Sequence, residues 1–398
     1  MSRYKEGKVH ILLFILGCVV FSPLSTILSQ QYLHLPLALP ELFALPIILL
    51  LRPRFKRIPF KTAFFESLVI VFLFTVLALL FGYFSFYAVL SNARVWFYLF
   101  FTYKLFKKYP VLSLNELYWL AFGCILGWFI SSVHEIGQLV TSSITGDKSI
   151  TTTGMMLSIP IFIPLLLKGG KNKIHIFIGV LLILGILVFS GIRRAIFVAL
   201  ISVFLTIFLS VINNPAKIFK YSIFIISFII VFSIFLPQIS DMVREISPML
   251  YVRVFERTEL LLSEGIGASD DTIRMNMIHQ FFNSFIEYTI PRGFVSLQTD
   301  VNAFTGIFND LPLLLLCWVF SWPVTLFFIF HVFNKLRNCY RIYCQTTDNE
   351  GMVFTITLLT MLSLLFIEGT FLTFAFATPF TGALLGWASR YSKRKFIV

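Results

Sequence analysis

The side chains in this sequence with the clearest chemical potential are arginines set against apolar surroundings. Arg193 and Arg194 stand side by side in the four-residue connection 191–194 between two apolar runs, Arg274 and Arg292 lie in the one long polar stretch, 239–310, and Arg94 sits inside an apolar run. A guanidinium is permanently charged and offers a planar fork of donors that fits phosphate or pyrophosphate in bidentate fashion. The set therefore predicts an anionic, phosphate-bearing partner. Arg244, Arg253 and Arg257 have Glu256, Glu259 and Glu264 close in sequence and read as internal ion pairs, whereas fewer acids neighbour Arg193, Arg194, Arg274 and Arg292. His279, five residues after Arg274, is the one histidine with a candidate role as a base; the others have no set of partners at metal-ligand spacing. No metal site and no cofactor are expected. The absence of a P-loop, a dinucleotide fingerprint, HExxH and GxSxG argues against an ATP-driven or nicotinamide-using enzyme.

These residues must be held by membrane-type elements. Apolar residues make up 58% of the 398 and charged ones 13%, with a mean hydropathy of +0.88, against about 45–50% and 25% in soluble domains. A bilayer core needs about 20 apolar residues in a helix. That ruler predicts an all-α polytopic integral membrane protein of about twelve transmembrane helices, approximately 10–28, 33–51, 62–81, 84–103, 114–133, 154–167, 174–190, 195–212, 221–237, 311–331, 352–371 and 373–389. They form a single membrane domain, 1–398, with the first span read as an uncleaved helix. The net charge of +13 does not imply a nucleic-acid partner, because most of the 32 Lys and Arg fall in alternate short connections between spans. Such connections stay cytoplasmic, which puts both termini inside and the stretches 191–194 and 239–310 outside. The five cysteines imply no disulfide framework. Within the large external loop, Ser269-Asp270-Asp271 offers helix caps and Ile273, Met277, Phe281 and Phe285 recur every four residues, predicting an amphipathic helix over about 270–288 ended by Pro291 and Gly293. Its apolar face is expected either to cap the helix bundle or to rest on the bilayer surface.

The short Ser190-Gly191-Ile192-Arg193-Arg194 before a span, the large later loop with its Pro291-Arg292-Gly293 turn, and Asn309-Asp310 opening the next span together resemble the O-antigen polymerase and ligase superfamily. The ligase branch carries a His-Asn pair where this chain reads Phe308-Asn309-Asp310, so the resemblance is to the polymerase, or Wzy-type, branch; a Gly-x-x-Gly common in the family is replaced by Ser321-Trp322-Pro323. The resemblance implies a bacterial inner-membrane protein whose two loops are periplasmic. It also implies a metal-independent glycosyltransferase that joins undecaprenyl-pyrophosphate-linked repeat units into a surface polysaccharide, alongside a chain-length regulator and a flippase. On that footing Arg193, Arg194, Arg274, Arg292 and Arg94 are the candidates for holding pyrophosphate and sugar, and Asp310 first, His279 second, for the base. The alternatives are a transporter of lipid-linked oligosaccharide and an O-antigen ligase.

Overall fold

The computed structural model describes residues 2–34, 40–51, 60–81, 86–108, 113–141, 156–168, 193–212, 281–294, 311–366 and 377–393 in continuous stretches, with a few positions such as His279 between them. Every regular element among the described residues is helical: α1 Ser2–Ile15, α2 Pro40–Leu51, α3 Phe60–Leu80, α4 Phe86–Lys108, α5 Leu114–Thr141, α6 Ile159–Lys168, α7 Arg193–Ile212, α8 Pro312–Phe320, α9 Trp322–Thr346, α10 Asn349–Leu364 and α11 Thr378–Tyr391. Two segments, Lys61–Leu80 in α3 and Leu114–Ser131 in α5, are long and apolar enough to cross a membrane, and Gly7–Val20, Val198–Ile212 and Asn349–Leu364 are shorter apolar helices. Most of 174–190 and of 221–237, expected to be spans, lies outside the described residues.

The helices approach closely where glycine removes the side chain. Gly123 and Gly127 sit one turn apart on α5, and an added Cβ would fall 2.1 Å from the carbonyl oxygens of Phe14 and Cys18 on the first helix and its π-helical extension Leu16–Val20. Gly382 and Gly386 repeat the spacing on α11, where a Cβ would stand 2.4 Å from Leu99 O and 2.6 Å from Tyr103 O of α4. This is the small-xxx-small packing by which helices associate when no hydrophobic drive separates helix from solvent. The α4–α11 pair carries Phe106 edge-on to Trp387, with ring centroids 4.6 Å apart. Asp348 caps α10 through Gly351 N (2.8 Å) and accepts from the Tyr391 hydroxyl (2.7 Å), tying α10 to the end of α11.

Two expected helices differ in detail. The span over 311–331 is two helices broken at Ser321, whose φ of 77° and ψ of 155° no helix tolerates. Pro323 causes the break: it has no N–H to give to Val319 O, and its fixed φ suits the first turn of a new helix. After the break, α9 runs unbroken to Thr346, so Lys335, Arg337, Arg341, Cys339 and Cys344 lie on a helix and not in the basic loop expected there. The helix extends because Thr347 adopts a left-handed C-cap (φ 52°) and Asp348 then starts α10 at once.

Candidate functional site

The break in α8–α9 explains how Arg292 is placed. In an unbroken helix Trp318 O would be met by the N–H of Trp322, while Val319 O, facing Pro323, would have no donor. Here Arg292 N donates to Trp318 O (3.1 Å) and Gly293 N to Val319 O (3.2 Å), and Phe294 N reaches Phe74 O on α3 (3.4 Å). The extended stretch 291–294 is thus threaded between α3 and the broken helix. Gly293 is required: its φ is +80°, and a Cβ would stand 2.2 Å from Phe74 O and 2.5 Å from Ala78 N. The other end of α8 is also closed by foreign backbone, Leu313 N donating to the carbonyl of Leu365, the C-cap of α10 (3.1 Å).

With its backbone fixed, the Arg292 guanidinium lies 4.1 Å over the Trp318 ring and 6.0 Å from that of Phe81. One edge meets Glu287 Oε2 at 2.8 Å. Glu287 is 60% exposed and the arginine 23%, so the pair is a weak, displaceable one by the standard of exposed ion pairs, about 0–1 kcal/mol. A guanidinium has five N–H donors, and those not spent on Glu287 have no partner among the described residues. An aromatic wall surrounds the group. Tyr288 packs edge-on to Trp318 (5.3 Å) and to Phe281 (4.6 Å), Phe285 stacks on Trp322 (5.0 Å), and Trp322 Nε1 donates to Thr289 Oγ1 (3.2 Å). The amphipathic stretch expected over 270–288 ends as a helical turn and a 3₁₀ segment, Phe285–Thr289. Phe281 and Tyr288 are buried against the bundle, while Phe282 and Ile286 are exposed.

Arg94 belongs to α4, two residues from Trp96, whose ring stacks on Phe294 (6.1 Å) and meets Phe320 edge-on (4.9 Å). It therefore lies near the same end of the bundle as Arg292. Its Nε is 3.8 Å from Glu41 Oε1 of α2, and its guanidinium carbon is 6.0 Å from the Tyr98 ring centroid. Glu41 Oε2, Arg94 Nε and the Tyr98 hydroxyl are buried atoms without a hydrogen-bond partner. Arg94 is legible in the sequence as a lone cation in an apolar run, but nothing in spacing links it to Glu41, 53 residues away. Glu66 on α3 is ion-paired with Lys104 of α4.

Arg193 and Arg194 form the first turn of α7. His279 is helical and exposed, with no hydrogen-bond partner among the described residues, and no direct contact joins Arg94, His279 and Arg292. Arg274 and Asp310 lie outside the described residues, and no group of three or more His, Cys, Asp or Glu among the described residues could hold a metal ion. Trp318, Glu287 and Phe81, which set the posture of Arg292, were not foreseen; the signal available was Pro323 behind a bulky apolar run. No protein family model, curated protein or solved structure matches the chain.

Proposed function

We propose that the chain is a polytopic protein of the bacterial inner membrane that polymerises undecaprenyl-pyrophosphate-linked oligosaccharide repeat units into O-antigen or a related surface polysaccharide. The membrane part of the reading is supported by α3, apolar on all sides and leaving Phe65, Phe72 and Leu80 exposed, a surface suited to lipid. Glycine-mediated helix contacts support it as well. The full set of twelve spans, with both termini cytoplasmic and 191–194 and 239–310 periplasmic, belongs to the same proposal.

The observation that carries the catalytic reading is the fixed Arg292, a guanidinium clamped on an indole with donors to spare. In the proposed reaction an acceptor sugar hydroxyl attacks the anomeric carbon of the growing chain. The bond from that carbon to the pyrophosphate oxygen breaks, a glycosidic bond forms, and the hydroxyl proton passes to a base, Asp310 or, second, His279. Negative charge develops on the departing pyrophosphate. A cation already aimed at that charge lowers the barrier without reorganisation, and loss of one such donor typically costs about 10²–10³ in rate. Arg292, with Arg193, Arg194, Arg274 and Arg94, would form this clamp, and Glu287 would be displaced from Arg292 by the more highly charged pyrophosphate.

The test is deletion of the gene, electrophoresis of the cell's lipopolysaccharide, and complementation with wild-type, Arg292→Ala and Arg194→Ala copies. The reading predicts core bearing a single repeat unit, restored to a ladder by wild type and not by either variant at equal protein abundance. Normal ladders from both variants would remove the clamp. Bare core after deletion would instead favour the transporter or the ligase reading, the first of which draws on the Arg94–Glu41 pair lying between helices.

A further inference from the structure

Residues 281–290 carry three sets of side chains. Phe281, Phe285 and Tyr288 pack on the bundle: the first and last are buried, and Phe285 stacks on Trp322. Asn283 and Glu287 are polar and exposed. The third set, Phe282, Ile286 and Ile290, recurs every four positions and is bare, at 66%, 84% and 58% exposed. A segment that did no more than cap the helices would carry polar side chains at the positions turned away from them. Single exposed apolar residues are ordinary on a protein surface, but three large ones within nine residues mark a contact with something apolar.

The neighbours of this set say what that contact is. The segment bridges the ends of α9 and α3, and both helices have apolar outer surfaces. At one end, Phe285 and Thr289 hold Trp322, the first residue of α9, and from there Val324, Leu326, Phe327 and Phe330 are all exposed along that helix. At the other end, Gly293 and Phe294 lie against Phe74 and Ala78 of α3, a helix long and apolar enough to cross a membrane, and Leu80 and Phe81 stand exposed where it stops. The bare set thus continues a surface that is already apolar on both flanks. Tyr288, Trp318 and Trp322 gather in the same place beside the Arg292 guanidinium. Trp and Tyr collect where acyl chains give way to head groups, because each ring has an apolar body and a polar tip.

We infer that Phe282, Ile286 and Ile290 rest in the nearer leaflet of the bilayer, just below its head groups, making 281–290 an interfacial anchor that fixes the depth of Arg292. Side chains on protein, side chains in water and side chains in lipid are what a segment lying in the plane of the interface requires. Because Arg292 follows the last of the anchoring residues by two positions and is tied by its backbone to Trp318, the anchor and the broken helix together hold the guanidinium at the level of the lipid head groups. The inference rests on the membrane reading and holds whether or not the chain transfers sugars.

The test is spin-label accessibility in the full chain, reconstituted into vesicles of phosphatidylethanolamine and phosphatidylglycerol. Cys344→Ser removes the one exposed thiol among five, the other four being buried, and single cysteines are then placed by Phe282→Cys, Asn283→Cys, Ile286→Cys and Ile290→Cys, with Phe72→Cys on the exposed side of α3 as the lipid reference. Collisions with oxygen, which concentrates in the bilayer, are compared with those of a water-soluble nickel chelate. Labels at 282, 286 and 290 are expected to favour oxygen, less strongly than the label at 72, and the label at 283 to favour nickel. A label at 286 as open to nickel as the one at 283 would put the segment in water and overturn the anchor. Shielding of 282, 286 and 290 from both reagents would mean that protein, a second copy or another partner, covers them, and would overturn it equally. A label at 72 that favours nickel would overturn the membrane reading and this inference with it, whereas a lipid-exposed 72 beside a water-exposed 286 would overturn this inference alone.

Discussion

Ser321 and Gly293 hold opposite positions with respect to backbone strain. Both have positive φ, 77° and 80°, but one is a serine where glycine would fit freely and the other a glycine where nothing larger fits. At φ and ψ near those of Ser321, a non-glycine residue costs about 1–3 kcal/mol. Ser321→Gly is therefore expected to raise the unfolding midpoint in detergent, and to leave Arg292 placed as before because the break depends on Pro323. Gly293→Ala should do the reverse. Its methyl group would meet Phe74 O and Ala78 N, and overpacking of this kind costs about 1–3 kcal/mol. The ladder of polysaccharide should then shorten or vanish even though Arg292 is untouched. Thermal unfolding of the two variants beside lipopolysaccharide electrophoresis checks both statements, and an active, fully stable Gly293→Ala protein would show that the extended segment 291–294 does not position the arginine.

At the level of elements, what could be read from the sequence divides along physical lines. Continuous apolar helices without internal punctuation, α3 and α7, fall within two residues of their expected limits because length and hydropathy alone determine them, whereas α5 starts where expected and runs on to Thr141, eight residues past 133. The helix over 311–331 was misjudged because a proline can start a helix as readily as end one, and only the neighbouring extended segment 291–294 decides between those outcomes. The extension of α9 was missed because basic residues were read as loop, although Lys and Arg are good helix formers. Of the site, Arg292 and Arg94 were legible as isolated cations; their partners Trp318, Glu287 and Glu41 depend on tertiary contacts. The glycine contacts were legible in principle as Gly123-x-x-x-Gly127 and Gly382-x-x-x-Gly386. Gly382→Val would drive a branched side chain against Leu99 O, separating α11 from α4 at a cost of about 1–3 kcal/mol or more. Detergent-solubilised protein should lose its sharp unfolding transition or shift it down by several degrees, and an unchanged transition would mean that these helices do not depend on close backbone approach.

For the molecule as a whole, sidedness is the property that most needs a direct reading, and the cysteines supply one. Cys18, Cys124, Cys317 and Cys339 are buried and Cys344 is exposed. Burial pushes the Cys339 thiol up to about 12, so at pH 8 it carries almost no thiolate and should not react. A membrane-impermeant maleimide is therefore expected to label a single site, Cys344, in inside-out vesicles and to leave right-side-out cells unlabelled. Labelling of intact cells would reverse the proposed orientation and put the arginine-bearing stretches in the cytoplasm. Sidedness in turn bears on how the broken helix is made. The carbonyls of Trp318 and Val319 find their donors at Arg292 and Gly293, and in a bilayer each would otherwise remain unsatisfied at a cost of several kcal/mol. Because synthesis runs from the N-terminus, α3 and the 291–294 segment are made before α8, so the donors can be waiting when the acceptors enter the membrane. A circularly permuted chain that began at residue 311 would insert those carbonyls first, and its biogenesis, more than its final stability, is where the fault would show.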